Sequence, residues 1–193
     1  MKHGQPVKHT DGGESLDTHG PLTAISTFQG WAFDLLNPDS WVFDLEDIAR
    51  SLSNLSRFNG HTHFYSVAEH SVRVSAELGL HSYRVQLLGL LHDATEAYLG
   101  DVPRPQKSLM AVAGQPFEEF EDTMALSIFQ AFGILDLDTH DENWAKVKKA
   151  DYEVYLEERD ERPSPGILAN GGMAPDQAYD WFMKTYTDLQ GLV

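Results

Sequence analysis

The chain contains no cysteine. This absence excludes disulfide bonds, thiolate zinc sites and cysteine nucleophiles together. A tightly bound transition metal would therefore have to be held by histidine nitrogen and carboxylate oxygen atoms.

Positive charge is also scarce, because 14 Lys and Arg stand against 30 Asp and Glu, for a formal net charge of -16. Such a charge repels phosphate backbones, so we expect no nucleic-acid polymer as a partner. A small phosphorylated ligand would need local compensation. A divalent cation is the obvious candidate, since clustered carboxylates are costly to assemble without one.

Long apolar runs are missing as well. No stretch approaches the roughly 18 to 20 residues of a membrane span, and the N-terminus has no apolar signal-peptide segment. We therefore expect no membrane partner and a cytoplasmic location, or the host cytoplasm if the chain is of phage origin. With 193 residues, the chain is long enough to bury a core in one domain.

The pattern along the chain predicts an all-α protein of about six helices with a short N-terminal β-hairpin or ribbon. Residues 1–20 carry almost no large apolar side chains and are predicted to be a flexible polar tail, followed by one domain over 21–193. The hairpin is predicted over 22–43, around Gly30 and the turn signal "NPDS". Predicted helices cover 44–58, 66–79, 82–100, 116–133 and 139–160, and a terminal helix follows a loop over 162–177 and ends near Leu192. The helix over 82–100 is apolar nearly all round, so it is predicted to be central.

Polar side chains occupy positions where this pattern calls for apolar ones. His70 lies three residues after Val67 and four before Val74, which places it on the buried stripe of its helix. Asp151 has the corresponding position on the helix over 139–160. A buried unpaired carboxylate costs several kcal/mol, so each of these groups needs a partner.

The central helix offers such partners. At about 100° per residue, His92, Asp93 and Glu96 fall within roughly one third of its circumference. A site of nitrogen and oxygen ligands that suits zinc, iron, manganese or cobalt would be formed by His70, His92, Asp93 and Asp151. Each residue alone could be a core histidine or half of an ion pair, but three helices present such an exception.

These residues form the pattern H…HD…D, with the flanks "VAEHSVRVS", "LLHDATEAYLGDVPRPQK" and "KADYEVYLEE". The pattern and flanks resemble the HD-domain phosphohydrolase superfamily, in the nucleotide-hydrolysing branch of 5'-deoxynucleotidases and phage dATP triphosphohydrolases. The resemblance covers about residues 22–190. It implies an all-helical HD fold with one metal on His70, His92, Asp93 and Asp151.

The resemblance also implies roles for neighbouring residues. Glu96 and Asp101 would serve catalysis or hold an additional magnesium, manganese or cobalt ion. Lys107 matches a phosphate-contacting lysine, and Arg57 matches an arginine that lines the nucleotide pocket. Relatives in this branch assemble into dimers or larger rings, so a homo-oligomer is expected.

Other contacts to a nucleotide are suggested by residue type alone. Arg104 is close enough in sequence to meet a phosphate, although a surface salt bridge would explain it equally well. Trp31, Phe33 and Phe58 could stack on a base and Gln29 could bind a base edge, with a place in the core as the alternative for each.

The expected function is metal-dependent hydrolysis of 2'-deoxynucleotides, with a deoxynucleoside triphosphate of the dATP type as first choice. The alternative is a 5'-nucleotidase that acts on deoxynucleoside monophosphates. A third reading is an inactive HD module that binds a nucleotide. The sequence leaves open the number of phosphates, the base and the metal.

Overall fold

The computed structural model describes residues 23–115, 117–135, 142–160 and 171–192. The predicted tail over 1–20 and the predicted start of the helix over 139–160 lie outside these ranges. The structure is mostly helical with one small antiparallel sheet near the N-terminus. The strands are β1 Ala24–Ser26 and β2 Ala32–Asp34, and the helices are α1 Leu45–Asn54, α2 Val67–Glu77, α3 Tyr83–Leu91, α4 Glu96–Leu99, α5 Arg104–Val112, α6 Phe117–Ala131, α7 Glu142–Asp160 and α8 Pro175–Gln190.

The predicted hairpin is present. β1 pairs with β2 with Ile25 opposite Phe33. Gly30 adopts a φ of 82° in the connecting turn, a conformation that a residue without a Cβ reaches at little cost. Phe33 is buried and stacks on Tyr98 with a centroid distance of 4.1 Å, so it belongs to the core. The hairpin thus packs its apolar side against α4.

Two predicted helix starts are confirmed by their caps. The Asp44 carboxylate accepts the backbone N–H groups of Glu46 at 2.8 Å and Asp47 at 3.2 Å at the start of α1. The Ser66 hydroxyl accepts the backbone N–H of Glu69 at 3.1 Å at the start of α2. These side chains satisfy amide groups that have no acceptor within the helix.

The prediction of one continuous helix over 82–100 is wrong. α3 ends at Leu91, a turn over 92–95 follows, and α4 begins at Glu96. The His92 side chain is the physical reason, because its Nδ1 bonds the Gly89 carbonyl oxygen at 2.7 Å. In an α-helix that oxygen would accept the backbone N–H of Asp93. The chain turns instead through bonds between residues three apart, such as Ala94 N–H to Leu91 O at 3.0 Å.

The segment after Gly100 also differs from the prediction. No helix is predicted between residues 100 and 116, but α5 lies there and carries Lys107. Pro103 precedes this helix and Pro105 lies in its first turn. Proline is tolerated there because the first amide groups of a helix have no intrahelical acceptor.

The core is formed by four helices, with α3 packed among α2, α7 and α8. α2 packs against α3, α7 and α8, and α3 also packs against α7 and α8. Leu88, Leu90 and Leu91 of α3 are buried among them. Burying each such side chain contributes about 1.5–3 kcal/mol, so the C-terminal end of α3 is firmly held beside α2 and α7. Across the ranges that the structure describes, no helix has the length and apolar character needed to cross a membrane.

Candidate metal centre

Three of the predicted metal ligands meet where α2 faces the turn after α3. The ligand atoms of His70, His92 and Asp93 all lie within 4.8 Å of one another, and this cluster could hold a metal ion. Asp93 Oδ2 is 3.1 Å from His92 Nε2 and 3.7 Å from His70 Nε2. The break between α3 and α4 brings the two side chains of the His-Asp pair to the same point.

The fourth predicted ligand approaches from α7. Asp151 Oδ1 lies 3.1 Å from His70 Nε2 and 3.8 Å from His92 Nε2. Two imidazole Nε2 atoms therefore face two carboxylates, and the four side chains come from α2, the turn and α7. Two nitrogen and two oxygen donors are a set that several first-row divalent ions accept.

His92 provides the observation that tests whether a cation fits. A carbonyl oxygen can only accept, so the Nδ1 of His92 carries the proton that it donates to Gly89 O. Its Nε2 is buried and has no hydrogen-bond partner in the part of the chain that the structure describes, although the Asp93 carboxylate is 3.1 Å away. A buried nitrogen that faces carboxylates without a hydrogen bond is the arrangement that a metal ion satisfies.

The charges at the cluster favour a positive group at its centre. Burial works to lower the pKa of His92, but the neighbouring carboxylates of Asp93 and Asp151 outweigh it and raise that pKa to about 9. Burial works to raise the pKa of both Asp93 and Asp151, yet the imidazoles hold both values below their ordinary range. The cluster therefore attracts positive charge, which either protons or a divalent ion can supply.

Glu158 stands behind His70 and was missed at the level of sequence. Its Oε1 lies 2.7 Å from His70 Nδ1 and 2.5 Å from the Tyr65 hydroxyl. Its Oε2 lies 3.3 Å from Arg57 Nη2. Glu158 follows Asp151 by seven residues, so the inward-facing stripe of α7 simply continues for two more turns, and that period was the available signal.

Arg57 lies at the edge of the centre, beside Asp93. Its Nη1 is 3.7 Å from Asp93 Oδ2, and its backbone N–H donates to the Tyr65 carbonyl at 2.9 Å. Phe58 follows with a φ of 60°, a genuine outlier for a bulky residue. The Arg57 guanidinium lies 5.4 Å from the centroid of the Phe58 ring. Arg57 thus borders the cluster, and base stacking by Phe58 stays a prediction.

Two further carboxyl groups lie beside the cluster. Glu96 is the first residue of α4 and 7% exposed, and its Oε2 has no hydrogen-bond partner among the residues described. Burial above all, and then the charges of Asp93 and Asp101, raise the pKa of Glu96 well above its usual value. Burial also raises the pKa of Asp101, while Arg57 works in the opposite direction. Carboxyl groups with a raised pKa hold their proton to a higher pH than usual.

The cations of α5 are placed less directly. Lys107 Nζ bonds both carboxylate oxygens of Glu121 on α6, at 2.6 and 2.8 Å. The charge of Lys107 still works against the rise in the pKa of Glu96 and of Asp101. Arg104 begins α5 with an exposed side chain and forms no ion pair with any residue in the described ranges. Phosphate contacts by Lys107 and Arg104 stay predictions.

The predicted base contacts of the hairpin have other neighbours. The Gln29 side-chain amide donates to Asp44 Oδ1 at 3.2 Å and to Glu46 Oε2 at 3.3 Å, at the start of α1. The Trp31 backbone N–H is directed at Thr27 Oγ1 at 3.2 Å. A cleft of about 220 Å³ lies between this hairpin, α1 and α4, and none of the four cluster residues lines it. Contacts of Gln29 and Trp31 with a base stay predictions.

Comparison with known proteins gives two relatives. No family model matches the chain. It is 32% identical over 188 residues to the uncharacterized protein YfdR of Escherichia coli, an alignment that covers 89% of this chain and 98% of the relative. It is also 38% identical over 113 residues to an uncharacterized protein of Rhodobacter capsulatus, and this alignment covers 54% of this chain and 56% of that relative.

Proposed function

We propose that this chain, which belongs to the same family as the Escherichia coli protein YfdR, is an HD-type, metal-dependent phosphohydrolase of 2'-deoxynucleotides. The observation that carries the proposal is the convergence of two imidazole Nε2 atoms and two carboxylates from three separate parts of the fold. Simple ion pairing would give each buried nitrogen a hydrogen bond. The Nε2 of His92 instead lies 3.1 Å from Asp93 Oδ2 and forms no hydrogen bond with any of the described residues.

His70, His92, Asp93 and Asp151 would hold the ion, and zinc, cobalt, manganese and iron all suit this set. Once bound, the ion supplies a Lewis acid for a phosphoryl oxygen and lowers the pKa of a coordinated water from about 15.7 towards roughly 7. Asp101 and Glu96 could take part in holding a second ion such as magnesium, manganese or cobalt.

The chain's own residues account for the remaining chemistry. Hydrolysis joins a water oxygen to phosphorus and breaks the bond between phosphorus and the ester oxygen, which takes up a proton. Glu96 is the residue best suited to hold or transfer that proton, because it is buried beside the cluster and its pKa is raised well above its usual value, which favours the protonated form. Arg57 can neutralise a phosphate oxygen at the edge of the cluster, and Asp101 can orient the water.

The first candidate substrate is a deoxynucleoside triphosphate of the dATP type, cleaved to the deoxynucleoside and triphosphate. One observation favours the alternative, a 5'-nucleotidase that acts on deoxynucleoside monophosphates. Arg57 is already engaged by Asp93 and Glu158, and Lys107 is engaged by Glu121. Neither side chain is thus free to neutralise the charge of a triphosphate, whereas a single phosphate needs fewer cationic groups.

The test is to incubate the purified protein with each dNTP, each dNMP and the matching ribonucleotides, in Mn²⁺, Co²⁺ or Mg²⁺. Chromatography then separates deoxynucleoside plus triphosphate from deoxynucleoside plus phosphate. An Asp93→Asn protein serves as the control for contaminating phosphatases. If the protein binds the ion but hydrolyses neither class of nucleotide with any metal, only the hypothesis of an inactive nucleotide-binding module remains.

Two broader expectations go with this function. An enzyme of nucleotide pools would act in the cytoplasm, or in the host cytoplasm for a phage protein. Assembly into a homo-oligomer is tested by light scattering coupled to size-exclusion chromatography, and a monomeric mass would refute it.

A further inference from the structure

Glu158 is the most heavily used buried carboxylate of the centre, although it is not a predicted metal ligand. It is 2% exposed and contacts three groups from different parts of the fold. These are His70 Nδ1 at 2.7 Å, the Tyr65 hydroxyl at 2.5 Å and Arg57 Nη2 at 3.3 Å. We propose that Glu158 is a positioning residue that holds His70 in the tautomer and orientation needed to bind the metal.

The two ring nitrogens of His70 face different groups. The Glu158 carboxylate accepts a hydrogen bond, so it selects the form of His70 that carries a proton on Nδ1. The opposite nitrogen, Nε2, then directs its lone pair towards Asp93 and Asp151, which lie 3.7 and 3.1 Å away. A carboxylate on the far nitrogen of a ligating histidine fixes the ring and increases its basicity.

His92 supports this reading because the same device recurs there with a different acceptor. Its Nδ1 donates to the Gly89 carbonyl at 2.7 Å, which again leaves Nε2 for the cluster. In both histidines, a hydrogen bond at Nδ1 thus orients Nε2 towards the cluster. The difference is that Gly89 supplies a neutral backbone acceptor, whereas Glu158 supplies an ionised side chain that substitution can remove.

The other two contacts extend the role of Glu158 beyond His70. Tyr65 immediately precedes the cap of α2, and Arg57 bonds the Tyr65 carbonyl through its backbone N–H at 2.9 Å. Glu158 therefore links α7 to the segment that carries Arg57 and its strained neighbour Phe58. Through Arg57, whose second terminal nitrogen approaches Asp93, the carboxylate also sets the distance between the guanidinium and the cluster.

The inference predicts a change in metal affinity, and it rests on the proposed function only for its consequence in catalysis. Titration calorimetry with Mn²⁺ alone would compare the wild type, Glu158→Gln and Glu157→Gln. Glu157 is the matched control, because it is the exposed neighbour on the same helix and the substitution is chemically identical. We expect the Kd for Mn²⁺ to rise about 10- to 100-fold in Glu158→Gln and to stay unchanged in Glu157→Gln.

A second measurement detects the hydrogen bond of the His70 ring directly. In ¹⁵N-histidine protein saturated with Zn²⁺, the Nδ1–H resonance of His70 should shift in Glu158→Gln, while that of His92 stays in place because Gly89 O still accepts it. Tyr65→Phe should leave the Kd within a few-fold, since the carboxylate on His70 remains. Far-UV circular dichroism confirms that each variant is folded.

The outcomes separate this inference from the proposed function. A folded Glu158→Gln protein that binds Mn²⁺ with the wild-type Kd would overturn the positioning role, whatever the enzyme hydrolyses. Weakened binding in that variant, together with a wild type that binds metal but hydrolyses no nucleotide, would uphold Glu158 and refute the phosphohydrolase. A wild type that takes up no metal would refute both.

Discussion

The hydrogen bond between Tyr65 and Glu158 offers a stability prediction that can be worked out in detail. Tyr65 is 1% exposed, and its hydroxyl lies 2.5 Å from Glu158 Oε1. Burial first, and then the charge of Glu158, raise the pKa of Tyr65 above its usual value, so the phenol keeps its proton and donates. Tyr65→Phe removes one oxygen atom and leaves Glu158 with His70 and Arg57 as neighbours.

The expected loss follows from the type of bond. A hydrogen bond to a charged group contributes about 1.5–3 kcal/mol, and the buried site offers little water to replace it. We expect the free energy of unfolding to fall by that amount. For a chain of this length the melting temperature should fall by roughly 3–12 °C, at about 2–4 °C per kcal/mol. Urea unfolding monitored by circular dichroism, in the presence of chelator, gives the free energy directly.

The control is Tyr152→Phe on α7, because Tyr152 is 54% exposed and the same atom is removed there. That variant should stay within about 0.5 kcal/mol of the wild type. In a double-mutant cycle with Glu158→Gln, the coupling energy should be about 0.5–3 kcal/mol. A Tyr65→Phe protein as stable as the Tyr152→Phe control would refute the argument that this bond stabilises the centre.

The remaining predictions concern the cluster and its surroundings. Asp93→Asn should abolish hydrolysis and drive the metal-to-protein ratio measured by elemental analysis towards zero; full activity would dismiss the assigned centre. Glu96→Gln should keep the bound metal but lower kcat about 10²- to 10⁴-fold, as expected for the loss of a proton-transfer group. The pKa of Glu96 is raised in the folded state, so the native chain binds more protons than the unfolded chain at pH values above about 4.3. The free energy of unfolding, measured in chelator, should therefore decline as pH rises. The decline should be less steep in Glu96→Gln. Glu121→Gln releases Lys107 and should lower the nucleotide KM about two- to fivefold, whereas Lys107→Ala should raise it about tenfold; an unchanged KM in both would remove Lys107 from the phosphate site.

Local signals account for the parts of the fold that were predicted correctly. The hairpin, the caps Asp44 and Ser66 and the inward stripe with His70 depend on residues only a few positions apart. Backbone geometry links such neighbours directly, so their spacing in the sequence is their spacing in space.

Competition between side chains and the backbone for hydrogen bonds explains the incorrect predictions. The apolar period of 82–100 continues past His92, and nothing in that period shows that the imidazole will take the Gly89 carbonyl and end α3. Likewise, the prolines around Arg104 are compatible with a loop or with a helix start, and packing against α6 accompanies the helix. These choices depend on which hydrogen bond or contact has the lower free energy in the folded chain.

The sequence by itself determined which chemistry is available to this protein. Without cysteine, and with a histidine or aspartate on the buried face of separate helices, only a nitrogen and oxygen centre was possible. The tertiary structure alone decided that Asp151 lies 3.1 Å from His70, that Glu158 supports His70, and that Lys107 meets Glu121. The physical reason is that pairs such as Asp151 and His70 are 81 residues apart in the chain, so packing of the helices, and no local spacing, sets the distance between their atoms.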